Sequence, residues 1–124
     1  MMVRQTAPQA LYRIIKEAEP ARADFVSQAV QSIDELRAGR RPKRDIPDDG
    51  EGSHMWSGIS VFRSAERAAA IMHRFPRIGA AVVRLHLPLE SIEDGVLRIE
   101  KTGADREHYT LWGTPEDLLA CVQA

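Results

Sequence analysis

Alternation of apolar and polar positions marks a strand most clearly between residues 80 and 87. The apolar positions of its predicted buried face are Ala81, Val83, Leu85 and Leu87. Four more runs, rich in β-branched or aromatic residues, also have the length of strands. The pattern therefore predicts five strands, at residues 11–15, 59–62, 80–87, 96–101 and 108–112.

Capping residues and helical periodicity predict three helices. Asp24 is a candidate N-cap for a helix over residues 24–38. Ser64 precedes a second helix, with apolar residues spaced i, i+3, i+4 and i+7. Thr114 as N-cap, with Pro115 at the first helical position, opens the last helix. The predicted buried residues are Phe25, Ala29, Ile33 and Leu36, then Ala68, Ile71, Met72 and Phe75, then Leu118, Leu119 and Val122.

The order of these elements predicts the fold class. Strands follow one another in the C-terminal half, which favours an α+β domain with a mostly antiparallel sheet and two to three helices. A chain of 124 residues has the length of a single domain. Residues 1–9 are expected to form a flexible arm. Residues 40–55 show no periodicity and are expected to form a long loop or lid, with a basic block followed by an acidic one.

Composition excludes several classes of protein. The formal net charge of −1 argues against a nucleic-acid module, since such modules usually carry a strong basic excess. The single cysteine, Cys121, cannot form an internal disulfide, which fits a reducing compartment. No apolar run reaches the roughly 20 residues that span a bilayer, and the N-terminal segment lacks the apolar core of a signal peptide. We therefore expect a cytoplasmic protein with no membrane partner.

Motifs for several common chemistries are missing from the sequence. The four histidines and Cys121 show no metal-ligand spacing, so no metal site is predicted. There is no Gly-x-x-x-x-Gly-Lys phosphate loop and no Gly-x-Gly-x-x-Gly dinucleotide fingerprint. The Gly-x-Ser-x-Gly nucleophile elbow is also missing. The sequence therefore does not support a P-loop, Rossmann or α/β-hydrolase protein.

Two polar residues inside predicted strands are candidate ligand-binding residues. Arg13 lies between Tyr12 and Ile14, and an arginine that points into a cleft can hold phosphate or carboxylate through two bonds. The alternative is an edge-strand arginine that reaches water or pairs with an acid. Ser60, two residues after Gly58, would bond a ligand or a catalytic carboxylate, or else be satisfied by backbone groups.

The strand predicted at residues 108–112 carries a second group of candidates. By alternation His108 and Thr110 share one face, and Tyr109 takes the other. His108, Tyr109 and Trp112 would stack a flat ring and bond its polar edge. Their alternative role is an aromatic wedge under the last helix.

Two glutamates are the nearest carboxylates to that strand in sequence. Glu100 or Glu107 would orient a ribose hydroxyl or stabilise a developing cation. Either would otherwise be a solvated charge of a strand or loop. The sequence does not decide between the two residues.

Four segments resemble a family of small bacterial proteins of unknown function. They are Leu-Tyr-Arg at 11–13, Asp-Phe-x-Ser at 24–27, Trp-x-Gly-Ile-Ser-Val-Phe at 56–62 and His-Tyr-Thr-Leu-Trp-Gly at 108–113. The layout is more distantly similar to the ADP-ribosyltransferase-like fold, including the RES-type NAD-degrading toxins. That resemblance implies that Arg13 contacts the phosphate and ribose of NAD and that Ser60 is the second-strand serine. It implies further that Glu100 or Glu107 stands for the late catalytic glutamate.

These observations lead to hypotheses from different classes. The first is an ADP-ribosyltransferase-like domain that binds NAD or a related nucleotide through the five binding residues named above. If catalytic, it would break the nicotinamide–ribose bond, with Glu100 or Glu107 stabilising the oxocarbenium-like state. The second is a non-catalytic module that docks a protein partner through residues 40–55. A third, an RNA- or nucleotide-modifying role, rests only on the basic block of that loop, and the net charge opposes it.

Overall fold

Five strands form one sheet in the computed structural model, which describes residues 9–27 and 57–123. The strands are β1 (Ala10–Ile15), β2 (Ile59–Phe62), β3 (Ala81–His86), β4 (Arg98–Lys101) and β5 (His108–Trp112). β2 and β5 have the predicted bounds. β3 is one residue shorter at each end than predicted, and β4 begins at Arg98 instead of residue 96.

Three helices and one 3₁₀ turn accompany the sheet in the described residues. They are α1 (Ala65–Arg74), α2 (Leu89–Glu93), α3 (Pro115–Leu119) and the 3₁₀ turn (Arg22–Phe25). The predicted caps of α1 and α3 are confirmed. The Arg67 N–H donates to Ser64 Oγ, and the Asp117 N–H donates to Thr114 Oγ1, each at 3.1 Å. Each cap satisfies a backbone donor that has no partner inside its helix.

The sheet is antiparallel throughout, with the strand order β3-β1-β2-β5-β4. The predicted α+β class with a mostly antiparallel sheet is thus confirmed. In this order β2 and β5 are neighbours, although α1, β3, α2 and β4 lie between them in sequence. Their pairing places Ser60 opposite Thr110, and the pairing of β4 with β5 places Glu100 opposite Thr110 from the other side.

Apolar residues are buried on both faces of the sheet. The core face centres on Leu11, Val61, Leu85, Leu111, Phe25 and Leu118. The opposite face, called the α1 face below, centres on Ile14, Phe62 and Ala68. Burying a leucine side chain completely contributes about 1.5–3 kcal/mol, so the core face supplies most of the apolar stabilisation. Since α1 packs mainly on β1, β2 and β3, the α1 face carries polar side chains over β5 and β4.

The C-terminal tail covers part of one edge of the sheet. β3 and β4 are the edge strands. The His86 N–H donates to the Cys121 carbonyl at 2.8 Å, and the Gln123 N–H donates to the Arg84 carbonyl at 2.9 Å. The tail therefore extends the sheet beside the second half of β3.

The helix predicted over residues 24–38 does not begin at Asp24. The chain forms the 3₁₀ turn there and becomes extended at Val26, with φ −93° and ψ 128°. The buried Asp24 carboxylate accepts the N–H of Ala21 at 2.8 Å and the N–H of Lys16 at 3.0 Å. The Asp24 side chain therefore bonds backbone N–H groups that precede it and ties the turn to the end of β1. An N-cap residue would instead bond the N–H groups of the residues that follow it.

The predicted burial of Phe75 is also wrong, since the side chain is 49% exposed. The backbone leaves the helical region at this residue, with φ −126° and ψ 73°, so the helical spacing no longer applies. The ring instead lies 5.4 Å from the Arg74 guanidinium. The predicted arm up to residue 8, the remainder of the predicted first helix and the predicted loop at 40–55 lie outside the described residues.

Gly58 lies immediately before β2 and faces β5 at close range. A Cβ atom at this position would be 2.5 Å from Thr110 Cγ2 and 2.9 Å from the Leu111 carbonyl oxygen. Real Cβ atoms do not approach other atoms so closely. The glycine therefore permits a close backbone approach between β2 and β5.

We expect Gly58→Ala to lower the free energy of unfolding by about 1–3 kcal/mol, because the added methyl group overpacks the contact with β5. Urea denaturation of the variant and the wild type measures the difference. Ser60→Ala, at an exposed position of the next strand, is the matched control and should change stability by less than about 0.5 kcal/mol. An alanine variant at position 58 as stable as this control would contradict the close packing.

Candidate functional site

A row of three polar side chains crosses β2, β5 and β4 on the α1 face. Thr110 lies between Ser60 and Glu100, because the register pairs it with both. Neighbouring strands lie about 4.8 Å apart, so the row is about 10 Å long. Thr110 is fully buried, whereas Ser60 is exposed and Glu100 is half-buried. An accessible hydroxyl and a carboxylate thus flank a buried hydroxyl.

Trp112 lies on one side of this row, opposite Arg98 of β4. The Arg98 guanidinium carbon is 5.1 Å from the centre of the Trp112 ring, and the same guanidinium forms an ion pair with Glu100. The indole N–H donates to Ser57 Oγ at 2.8 Å. These contacts hold the half-buried indole in place beside the carboxylate. An indole of this kind is suited to stacking against planar rings.

His108 lies on the other side of the row, opposite Phe62 of β2. The two rings meet edge to face, with their centres 5.6 Å apart and an angle of 73° between the planes. His108 Nδ1 lies 3.0 Å from the Thr102 carbonyl oxygen and 3.2 Å from Thr102 Oγ1. The imidazole is therefore fixed by an aromatic contact and by polar contacts to one residue.

We call this group of side chains the polar patch. Its members are Ser60, Glu100, His108, Thr110 and Trp112. Along β5 the patch extends over five residues, from His108 to Trp112, which is about 13 Å. The structure therefore brings four of the predicted site residues together, in an area large enough for a nucleoside.

Arg13 lies on the core face and donates hydrogen bonds to backbone carbonyls. Its Nε and Nη2 donate to the Asp24 carbonyl at 3.0 Å and 2.9 Å, and its Nη1 donates to the Ser60 carbonyl at 2.9 Å. Burial lowers the pKa of Arg13 to about 10, and the charge of Asp24 opposes part of that shift. Arg13 thus joins β1 to the 3₁₀ turn and to β2. Its role as a phosphate ligand stays a prediction.

Tyr109 and Glu107 lie outside the polar patch. Tyr109 is half-buried on the core face, because it alternates with His108 and Thr110 along β5. Glu107 lies in the turn before β5, and its N–H donates to Asp105 Oδ1 at 2.9 Å. It is three residues from Thr110, about 10 Å along an extended chain. Of the two glutamates considered from the sequence, only the one on β4 lies in the row.

The sequence did not single out Thr110, Thr102 or Arg98 as site residues. A signal for Thr110 existed, because strand alternation places it on the same face as His108. Thr102 contacts His108 only because β4 and β5 pair in one particular register. The two strands are consecutive in the chain, but their register is set by the turn between them and cannot be read from either strand alone.

An ion pair fastens α1 to the turn that precedes β5. Arg67 Nε donates to Asp105 Oδ2 at 2.7 Å, and Arg67 Nη2 lies 2.6 Å from the same oxygen. The Glu107 N–H, together with the Arg67 side chain, lowers the pKa of the Asp105 carboxyl below its usual value. The contact fixes the beginning of β5, and with it the position of His108.

An open groove of about 550 Å³ lies at the β3 edge, away from the polar patch. It is lined by Arg84, His86, Pro88 and the tail residues 120–123. None of the predicted site residues lines it. The groove therefore gives no support to the sequence-based site.

Comparison with protein-family models, curated proteins and solved structures finds no significant match. In the described part of the chain, no helix is long and apolar enough to cross a membrane. Across residues 9–27 and 57–123, no three histidine, cysteine, aspartate or glutamate side chains gather as metal ligands would.

We expect Arg13→Met to lower the free energy of unfolding by about 2–4 kcal/mol, because the carbonyls of Asp24 and Ser60 lose a charged donor and the buried Asp24 carboxylate loses the opposite charge beside it. Chemical denaturation measures the loss. Arg22→Met is the control: Arg22 pairs with Glu116 at an exposed site, where ion pairs contribute little. Equal small effects of the two variants would contradict the structural role of Arg13. Because the substitution also lowers stability, a loss of ligand binding in an Arg13 variant has to be compared with the fraction of that variant that is folded.

Asp105 should make stability depend on acid pH. Because folding lowers the pKa of its carboxyl below the usual value of about 3.9, the unfolded state binds the proton more readily. The stabilisation is present above about pH 5 and is lost as the pH falls through the folded-state pKa. We expect the difference in melting temperature between wild type and Asp105→Asn to be largest near neutral pH and to shrink below about pH 4.

The comparison with Arg67→Met supplies the control for this pH dependence. That variant removes one of the two donors to Asp105, so it should show a weaker form of the same trend. A difference between wild type and Asp105→Asn that stays constant from about pH 7 to about pH 3 would contradict the lowered pKa.

Proposed function

We propose that this chain binds NAD or a related nucleotide on the polar patch, as an ADP-ribosyltransferase-like domain. The observation that carries the proposal is the juxtaposition of an indole, an accessible hydroxyl and a carboxylate on one face of the sheet. A nucleoside combines a planar ring with a pair of ribose hydroxyls. The three side-chain types suit those parts in chemistry.

In the proposed complex a ring of the ligand stacks on Trp112. Stacking of a base on an aromatic side chain contributes about 1–3 kcal/mol. The carboxylate of Glu100 accepts hydrogen bonds from the ribose hydroxyls, and the Ser60 hydroxyl adds a donor or acceptor at the other end of the row. Arg98, which contacts both Trp112 and Glu100, brings positive charge to the place where phosphate would lie.

Glu100 is the carboxylate best placed for chemistry on such a ligand. Breaking the nicotinamide–ribose bond sends the bonding electron pair to nicotinamide and leaves positive charge on the ribose C1′ and ring oxygen. A carboxylate beside that centre lowers the barrier by stabilising the developing charge. Water, or a hydroxyl of an acceptor, then bonds to C1′ and loses its proton. Glu107, outside the patch, is less suited to the role.

Calorimetric titration with NAD tests the proposal. We expect wild type to bind and Trp112→Leu to bind about 5- to 150-fold more weakly, because the variant loses the stacking of one ring. Phe75→Leu is the matched control: it removes an exposed aromatic ring outside the patch and should leave the affinity unchanged. Circular dichroism verifies that both variants are folded. Analysis of the same samples for released nicotinamide tests the catalytic part.

Two results would contradict the proposal. One is that folded wild type produces no heat with NAD. The other is that Trp112→Leu binds as tightly as Phe75→Leu. The first would favour the alternative of a non-catalytic module, whose predicted docking segment at residues 40–55 lies outside the described residues. The second would place NAD away from the polar patch.

A further inference from the structure

A chain of hydrogen bonds leads from the buried centre of the polar patch to the ring of His108. Thr110 Oγ1 and Thr102 Oγ1 lie 2.6 Å apart, and both residues are buried. Thr102 in turn meets His108 Nδ1 with both its hydroxyl, at 3.2 Å, and its carbonyl oxygen, at 3.0 Å. The three side chains therefore form one polar network under the patch.

The carbonyl contact fixes which ring nitrogen of neutral His108 carries the proton. A carbonyl oxygen can only accept a hydrogen bond, so Nδ1 must be the donor. The Thr102 hydroxyl, beside the same N–H, then accepts from it, and its hydrogen bond with Thr110 Oγ1 can have either hydroxyl as the donor. In the neutral ring Nε2 is consequently left with a lone pair and no proton.

This tautomer gives the patch a definite hydrogen-bonding polarity. Nε2 of neutral His108 can accept a hydrogen bond but cannot donate one, and the ionised carboxylate of Glu100 has the same property. The edge-to-face contact with Phe62 holds the plane of the imidazole, so the acceptor has a fixed direction. A ligand that presents an acceptor to Nε2 would leave that nitrogen unpaired, whereas one that presents an N–H or O–H group would satisfy it. Glu100, already paired with Arg98, can accept a further hydrogen bond from such a group.

We propose that His108 determines the specificity of the polar patch, accepting through Nε2 an N–H from a carboxamide or an exocyclic amine of the ligand. This inference rests on the proposed nucleotide function and narrows its ligand class. The selected ligands are amides or amines, and the rejected ones are their carboxylate or carbonyl counterparts. Sites built to bond a polar group discriminate strongly against analogues that lack it.

The first experiment needs no ligand. Nitrogen NMR of the free protein at about pH 8, where imidazoles are generally neutral, reports which ring nitrogen carries the proton. His108→Phe assigns the signals, and His86, exposed on β3, serves as an internal reference. We expect His108 to be protonated at Nδ1. A proton mainly at Nε2 would overturn the inference whether or not the protein binds nucleotides.

The second experiment compares NAD with two analogues. In one the nicotinamide carboxamide is replaced by a carboxylate, and in the other adenine is replaced by hypoxanthine, so the pair identifies which end of the ligand meets His108. We expect wild type to prefer NAD over one of them by about 10- to 100-fold. His108→Phe should lose that preference while keeping the ring that packs on Phe62. His86→Phe is the control and should retain the preference for NAD.

The outcomes separate the inference from the proposed function. Binding of NAD with no preference over either analogue, or with a preference that survives in His108→Phe, would overturn the role of His108 and leave the nucleotide site standing. Failure of wild type to bind any of the three ligands would overturn both. In that case the NMR measurement still shows whether the proton of neutral His108 lies on Nδ1, leaving Nε2 as the acceptor.

Discussion

The arrangement of the described chain depends on the hydrogen bonds that the half-buried Arg13 guanidinium donates to backbone carbonyls. A charged group on the core face is stable only because the carbonyls of Asp24 and Ser60 accept its N–H groups and the Asp24 charge lies beside it. The contact fixes the 3₁₀ turn against β2, a central strand. Ser60 thus has two functions in the structure: its carbonyl anchors Arg13 on one side, and its side chain belongs to the polar patch on the other.

The polar patch exists because one short helix covers only part of a sheet face. α1 begins directly after β2, at the Ser64 cap, and packs mainly on β1, β2 and β3. The neighbouring half of the same face carries polar groups, among them the buried hydroxyl of Thr110. A buried hydroxyl requires a partner. Thr102 supplies it and also orients His108, so the packing of a threonine in the sheet determines the chemistry of the histidine.

Local signals in the sequence were sufficient for most of the secondary structure. The Ser64 and Thr114 caps and the alternation in β3 act within a few residues, and the structure agrees with each. Asp24 shows the limit of such signals, because an aspartate that caps a helix and one that closes a turn look the same in sequence.

The site was predicted less completely, because it depends on which strands are neighbours and in what register. Alternation places His108 and Tyr109 on opposite faces, although the nucleotide hypothesis requires both to contact one ligand ring. The same hypothesis requires Arg13 and Ser60 to contact one ligand, and their side chains lie on opposite faces of the sheet. No pattern within a single strand shows which of its faces will meet the polar residues of another strand.

The two edges of the sheet are closed to further pairing by different means. An open strand edge is a template on which other chains can add strands and aggregate. On the β3 edge, the backbone of the tail forms hydrogen bonds with the Arg84 carbonyl and the His86 N–H, so these groups are not open to another strand. On the β4 edge, the charged side chains of Arg98 and Lys101 discourage a neighbouring strand. The tail that lines the groove therefore also protects β3 from edge-to-edge aggregation. Without its hydrogen bonds, the exposed edge of β3 would become a site of self-association.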